Sequence, residues 1–315
     1  MKKLIYIIIL FTQAGFGQAT SYQVKSEITN NRTPQHINIP GTRLYLIPPN
    51  DFFPASNFIG LQRDPYTAFN VYDLVGGNFY TNAATFSRAE FEKQGAKVFE
   101  YKELKINGYP AKFIAMQGDP SAKSYALVFG DTTFSTMIMA FYPTADNSTG
   151  NAIINSLNTI WYDTSKKVDP FETANFSLNE TISKFRFFQY NAGLYIYTVN
   201  GVDNKDDKLA PVVIVSQFPK DYSMTTKGIG DLMIAKARQY GLSNIELKNS
   251  SIDRINGFAA YQVEVYGQMD KVNTLFYYCI VTKEDKAIAV QGIAKTDIEN
   301  NLKAFRKLSA TIKVK

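Results

Sequence analysis

The chain holds one histidine and one cysteine with which to move a proton, attack a substrate or bind a metal. His36 lies in Thr33-Pro34-Gln35-His36-Ile37. A general base needs a rigid, partly buried setting that tunes its pKa. The polar segment around His36 instead predicts an ordinary surface or edge residue. Cys279 lies in the apolar run Leu275-Phe276-Tyr277-Tyr278-Cys279-Ile280-Val281. That context predicts a buried small hydrophobe, because a reactive thiol needs an exposed, electropositive setting. One Cys closes no intrachain disulfide, and one Cys with one His builds no zinc cluster.

Carboxylates are the remaining chemistry. A hydrolase without histidine would set two of them across a cleft. Glu103, Glu264 and Asp270 are candidates, but no spacing singles out a pair. The densest oxygen-rich stretch is Asp203-Asn204-Lys205-Asp206-Asp207-Lys208. Its carboxylates and amide suit a hard cation. It lacks the glycine and closing glutamate of an EF-hand, and reads as a solvated hairpin loop. Asp131-Thr132-Thr133 and Gly230-Asp231 read as turn and helix-start chemistry. Gly228-Ile229-Gly230 lacks the preceding strand of a dinucleotide loop, and there is no Gly-x-Ser-x-Gly elbow. No catalytic, cofactor-binding or metal-ligating set follows. The expectation is a non-enzyme without a cofactor.

Binding chemistry is better represented. Aromatics make up 14% of the chain. Phe185, Phe187, Phe188, Tyr190, Tyr195 and Tyr197 crowd one predicted hairpin. They would line an apolar ligand cleft or pack across strands in a core, and the second is expected. Lys303, Arg306, Lys307, Lys313 and Lys315 read as a solvated helix face and tail rather than an anionic contact surface. No nucleic-acid module accompanies them. Sequons at Asn31, Asn147, Asn175, Asn179 and Asn249 would matter only in a eukaryotic secretory pathway.

The N-terminus reads as a secretory signal peptide. Lys2 and Lys3 precede an apolar run over residues 4–11, and Ala14, Gly15 and Gly17 follow. The run is far short of the ~20 residues that span a bilayer. No Cys follows it, so a lipoprotein is not expected. Two of the net +6 charges belong to those lysines, leaving +4 beyond residue 17. A secreted or periplasmic protein is expected, with no transmembrane segment.

An internal repeat organises the rest. Lys105-Ile106-Asn107-Gly108-Tyr109-Pro110-Ala111 recurs as Arg254-Ile255-Asn256-Gly257-Phe258-Ala259-Ala260, 149 positions later. Each Asn-Gly predicts a tight hairpin, because both residues tolerate positive φ. A helix precedes each copy. The first has Ser87 and Glu90 as a capping box and Gly95 at its exit. The second has Thr225 or Thr226 as cap and Gly241 at its end. Three strands follow each hairpin, over 109–116, 124–129 and 133–141, then 258–266, 273–281 and 287–293. An amphipathic helix closes each copy, from about Asn147 and Asp297. Opening strands are expected at 42–47 and 182–190, and further strands at 68–74 and 211–217. The order predicts an α+β fold, with antiparallel sheets covered by helices.

This order resembles the PsbP-like (DcrB/PsbP-like) family of envelope accessory proteins. The resemblance is carried by Ile39-Pro40-Gly41-Thr42, Pro48-Pro49-Asn50-Asp51-Phe52, Phe58-Ile59-Gly60, Glu92-Lys93-Gln94-Gly95 and Ile106-Asn107-Gly108. In the second copy it is carried by Gly241 and Ile255-Asn256-Gly257. It implies two tandem units that contact a partner protein or complex, and it carries over no site residue. The expected division is a signal peptide at 1–17, a flexible N-terminus at 18–37 and a first unit at 38–163. A linker at 164–175 and a second unit at 176–315 follow. The alternative function is a module for a small apolar ligand or lipid, and a carboxylate hydrolase is the least favoured.

Overall fold

The computed structural model describes residues 24–191, 193–204, 206–220 and 223–315. The expected signal peptide lies outside them. In chain order the first elements are β1 (Glu27–Ile28), β2 (Ile37–Asn38), β3 (Leu44–Leu46), β4 (Phe53–Pro54), β5 (Gly60–Asp64) and β6 (Thr67–Val75). Two short helices follow, α1 (Phe79–Asn82) and α2 (Arg88–Lys93). Then come β7 (Lys97–Ile106), β8 (Tyr109–Asp119), β9 (Ala122–Gly130), β10 (Phe134–Pro143), α3 (Asn147–Leu157) and β11 (Trp161–Tyr162). The rest comprises β12 (Phe176–Ser177), β13 (Phe185–Asn191), β14 (Leu194–Val199), β15 (Val212–Pro219) and α4 (Thr226–Gln239). It continues with β16 (Ser243–Ile255), β17 (Phe258–Met269), β18 (Val272–Lys283), β19 (Lys286–Ala294), α5 (Ile298–Ser309) and β20 (Lys313–Val314).

These elements form a strand-rich α+β fold with two large sheets. The first runs β4-β5-β6-β10-β9-β8-β7 and then β1; the second runs β13-β14-β15-β19-β18-β17-β16. Seven strands thus follow the same order in both. Each sheet has a small satellite. β11 pairs with β3, placing Trp161 opposite Tyr45, and β20 pairs with β12, placing Val314 opposite Phe176. The expected match of opening strands is therefore corrected. β3 corresponds to β12, and β13 occupies the place of β4. Pairing with the strand after the last helix decides this, and local sequence does not encode it.

Local chemistry explains the hairpins and helix starts. Asn107 and Gly108 have φ of 49° and 86°, and Asn256 and Gly257 have 51° and 88°. Both residues of each turn are left-handed, so the strands close with Ile106 opposite Tyr109 and Ile255 opposite Phe258. The Ser87 hydroxyl accepts from the Glu90 N–H, and the Thr225 hydroxyl from the Gly228 N–H.

Alternation along the strands sends apolar side chains to both faces. In the second sheet α5 covers one face through Phe305 and Leu308. The single helix α4 covers the other, through Ile229, Ile234 and Ala237. In the first sheet α3 covers one face through Ile153, Ile154 and Leu157. Among the described residues the other face carries the short α1 and α2, whose cluster with Phe79 and Phe86 reaches from β7 to Met137 and Met139 of β10 and leaves the β5–β6 side open.

Parts of the expected flexible N-terminus and of the expected linker are packed. In the expected flexible stretch 18–37, Val24 and Ile28 are buried, and β1 lies parallel to β7 at the sheet edge. Few residues anchor this strap, which is why its polar composition hid it. Within the expected linker 164–175, Ala174 is buried. Phe171 meets the rings of Phe187 and Tyr195.

Candidate functional site

The residues singled out for chemistry do not converge. His36 is buried rather than exposed, at 8%. Its Nε2 lies 2.8 Å from the Thr159 carbonyl, and its Nδ1 accepts from the Thr33 N–H at 3.1 Å. The ring thus pins the strap to the end of α3. Cys279 is wholly buried in β18, where burial pushes its thiol up to about 12. Glu103 receives the Tyr101 hydroxyl on the surface, and Asp270 sits in the left-handed β17–β18 turn. The Asp131 carboxylate accepts from Thr133 and the Phe134 N–H; the Thr133 hydroxyl chiefly holds it below the usual range. Gly228 and Gly230 lie within α4, and Gly230 packs so closely on Tyr261 that a Cβ there would clash. The Asp207 carboxylate caps the Leu209 N–H in the loop after β14. Among the described residues, no three His, Cys, Asp or Glu side chains gather to hold a metal ion.

The aromatic hairpin does not line a cleft. Phe185, Tyr195 and Tyr197 are core residues, with Phe187 and Tyr190 packed against them. Cross-strand and helix contacts claim these rings. Phe185 meets Phe305 of α5, and Tyr195 meets Phe176 of β12.

Two buried polar clusters have structural roles. Asp73 accepts from the Tyr162 hydroxyl at 2.7 Å, the Thr136 hydroxyl at 2.9 Å and the Arg43 N–H at 2.8 Å. Burial, then the Asp73 charge, raises the Tyr162 hydroxyl well above its ordinary value. Glu264 is 2% exposed and pairs with Arg306 of α5. It also accepts from the Asn249 amide and the Tyr266 hydroxyl. Asn249 has φ of 47° in a β16 bulge, so this carboxylate fixes an irregularity in an edge strand. Of the late basic residues, Arg306 is thereby committed to the fold, and the lysines around it are exposed.

The site with binding chemistry is a cleft of about 1580 Å³ between the two sheets. Its floor is the half of the first sheet that α1 and α2 leave uncovered. Tyr72 of β6 and Phe141 of β10 lie half-buried there. Phe58 from the β4–β5 loop and Phe218 of β15 add apolar wall. Tyr66 at 77% and Leu194 at 40% stand exposed on the rim. The walls are clasped by polar contacts. The Asn57 amide donates to the Asp285 carboxylate at 3.2 Å, and the Asn175 amide to the Ser56 carbonyl at 2.9 Å. Asn57 Oδ1 is buried with no protein partner.

The charges near the cleft are already engaged. Arg63 donates to Asp64, Thr149, Thr67 and Asp146. Burial works against ionisation of Asp64, but Arg63, the Tyr66 N–H and Thr67 together hold its carboxyl below the usual range. The lining therefore offers apolar and aromatic surface, ringed by polar groups that mostly have partners. Ser121 of the lining donates its hydroxyl to the Asp119 carboxylate in the β8–β9 turn.

No family model and no curated protein sequence match the chain. Solved structures do share similarity. LpqN, involved in cell envelope biogenesis in Mycobacterium tuberculosis, is 12% identical with a TM-score of 0.35. It covers 44% of this chain and 82% of its own. PsbP from the cyanobacterium Synechocystis is 15% identical with a TM-score of 0.28, covering 49% of this chain and 100% of its own. The T6SS immunity protein TplEi from Pseudomonas aeruginosa is 8% identical with a TM-score of 0.31, covering 89% and 97%. All three TM-scores fall below 0.5.

Proposed function

We propose that the chain is a non-enzymatic binding protein of the cell envelope, built of two tandem PsbP-like units, that holds a segment of a partner protein in the inter-sheet cleft. The tandem reading is supported by the Asn-Gly repeat and by the strand order common to both sheets. The expected signal peptide supports export.

The cleft carries the functional reading. Its volume exceeds the ~300–1,000 Å³ of pockets that enclose small molecules. A small apolar ligand would fill only part of it, whereas a folded partner's loop or extended segment would cover the floor. Exposed tyrosine and leucine beside half-buried rings match the aromatic anchors that dominate protein interfaces.

A photo-crosslinking residue placed at Tyr66 or Leu194 in living cells tests this. One discrete adduct from both positions is expected, with none from Tyr240, which is exposed on the α4 end. Equal labelling at all three positions, or none at the cleft, would overturn the assignment.

A further inference from the structure

The two sheets end in matching strands with different edges. β7 is covered by β1, with Glu27 opposite Lys105 and Ile28 opposite Ile106. The Lys105 N–H donates to the Ser26 carbonyl at 3.0 Å, and the Asn107 N–H to the Ile28 carbonyl at 2.7 Å. The Asn30 amide then bridges the Asn158 and Ile160 carbonyls at the end of α3, both at 3.0 Å. Its own N–H donates to the Asn107 side chain.

Among the described residues no strand covers β16, which is solvent-exposed over nearly all its length. Side chains stand in for a strap. The Arg254 N–H, which matches that of Lys105, donates to its neighbour Asp253 at 2.7 Å. The Asn256 amide itself reaches the Ala310 and Ile312 carbonyls at the end of α5. Asn256 thus does the work that Asn30 does in the first sheet. Ile255 stays 8% exposed where Ile106 is at 0%.

We infer that the β16 edge is a docking site for an extended partner segment of the pattern acidic–apolar–x–Asn, added as a parallel strand beside Arg254-Ile255-Asn256. Charge complementarity selects this occupant. Arg254 stands where Lys105 faces Glu27, so an acidic residue belongs opposite it and an apolar one opposite Ile255. The incoming asparagine takes the two helix-end carbonyls, and Asn256 turns to receive the strand's N–H as Asn107 does. Main-chain hydrogen bonds supply the affinity, and the side chains set the register. This edge is separate from the cleft and does not depend on it.

The test uses the full chain and a labelled synthetic peptide of residues 24–33. In the protein that segment already occupies β7, so of the two matching edges β16 is the one open to the peptide, and exchange slowed at β4 or β13 instead would also overturn the inference. Fluorescence anisotropy should show saturable binding, and hydrogen exchange should slow over residues 251–256. A peptide with Glu27→Lys should bind about fivefold more weakly. Arg254→Glu in the protein should reverse that preference, while Leu194→Asp in the cleft should leave it unchanged. Absence of saturable binding would show that the edge is self-capped only. Slowed exchange at residues 97–106 alone would show strap exchange on β7. A charge reversal that fails to switch peptide preference would refute the register. Each of these overturns the inference.

Discussion

The two sheets share a strand order and are left unfinished in opposite ways. In the first, the edge is closed by β1 and the helical layer is broken into α1 and α2, so half of one face is open. In the second, α4 spans its face from β15 to β17 and the edge strand β16 is bare. A sheet has to satisfy both its faces and its edges. The difference shows that one topology exposes either an apolar floor or a row of backbone donors and acceptors. Which one depends on where the flanking segments are spent.

The largest effect that separates the sheets should come from alkali. Burial raises the hydroxyls of Tyr190, Tyr197, Tyr277 and Tyr278 above their ordinary value. It pushes Tyr195 and Cys279 up to about 12. All six belong to the second sheet. In the first sheet the Tyr162 hydroxyl is raised likewise, and Tyr125 and Tyr142 are buried with their hydroxyls bonded to each other. A group whose folded pKa is raised contributes stability that is complete below its unfolded pKa. That stability falls as pH climbs from the unfolded towards the folded value. The second sheet should therefore loosen first as pH rises from about 9 towards 12. Trp161 is the chain's one tryptophan and sits beside the first sheet. Cys279 should become alkylatable at a lower pH than the one at which Trp161 fluorescence shifts. The reverse order would break the comparison.

A smaller effect is expected from Ile28→Ala. Truncating this buried anchor should cost about 2–3 kcal/mol and release the strap. Exchange at the Lys105 and Asn107 amides should then approach that at Arg254 and Asn256. Continued protection of the first pair would mean that Ile28 does not hold the edge closed.

The finest distinction concerns the two hairpins. Asn107→Val and Asn256→Val each force a β-branched residue into positive φ, at about 1–3 kcal/mol. Asn256→Val also strips two carbonyls of their donor, whereas Asn107→Val strips one N–H, that of Asn30, of its acceptor. Asn256→Val should be the worse by roughly 0.5–1 kcal/mol in urea unfolding. If neither change lowered the melting temperature, the turn conformation would not be what closes these hairpins.

Asn-Gly turns, hydroxyl caps and helical stripes were legible because each is a local arrangement with one physical reading. Asn107, Asn256, Ser87 and Thr225 all act as their neighbours in sequence require. Cys279 was legible for the same reason, being set in an apolar run. His36 was not, because its partners are Thr33 and the carbonyl of Thr159, far along the chain. Glu264 has only Tyr266 as a partner nearby in sequence; Arg306 and Asn249 reach it only after β16, β17 and α5 have packed. The cleft depends on how two sheets face each other, and no window of sequence records that.

The strap also has a kinetic consequence. Asn30 and Asn107 are 77 residues apart, and β1 joins its sheet in parallel, so no short turn can bring the pair together. Contacts of long loop closure form late, after local hairpins have repaid their own entropy. The β7–β8 hairpin is therefore complete before its edge is closed. A newly made chain passes through a stage with both the β7 and β16 edges bare, when aggregation competes most strongly with folding. How fast residues 24–30 find β7 sets the length of that exposure.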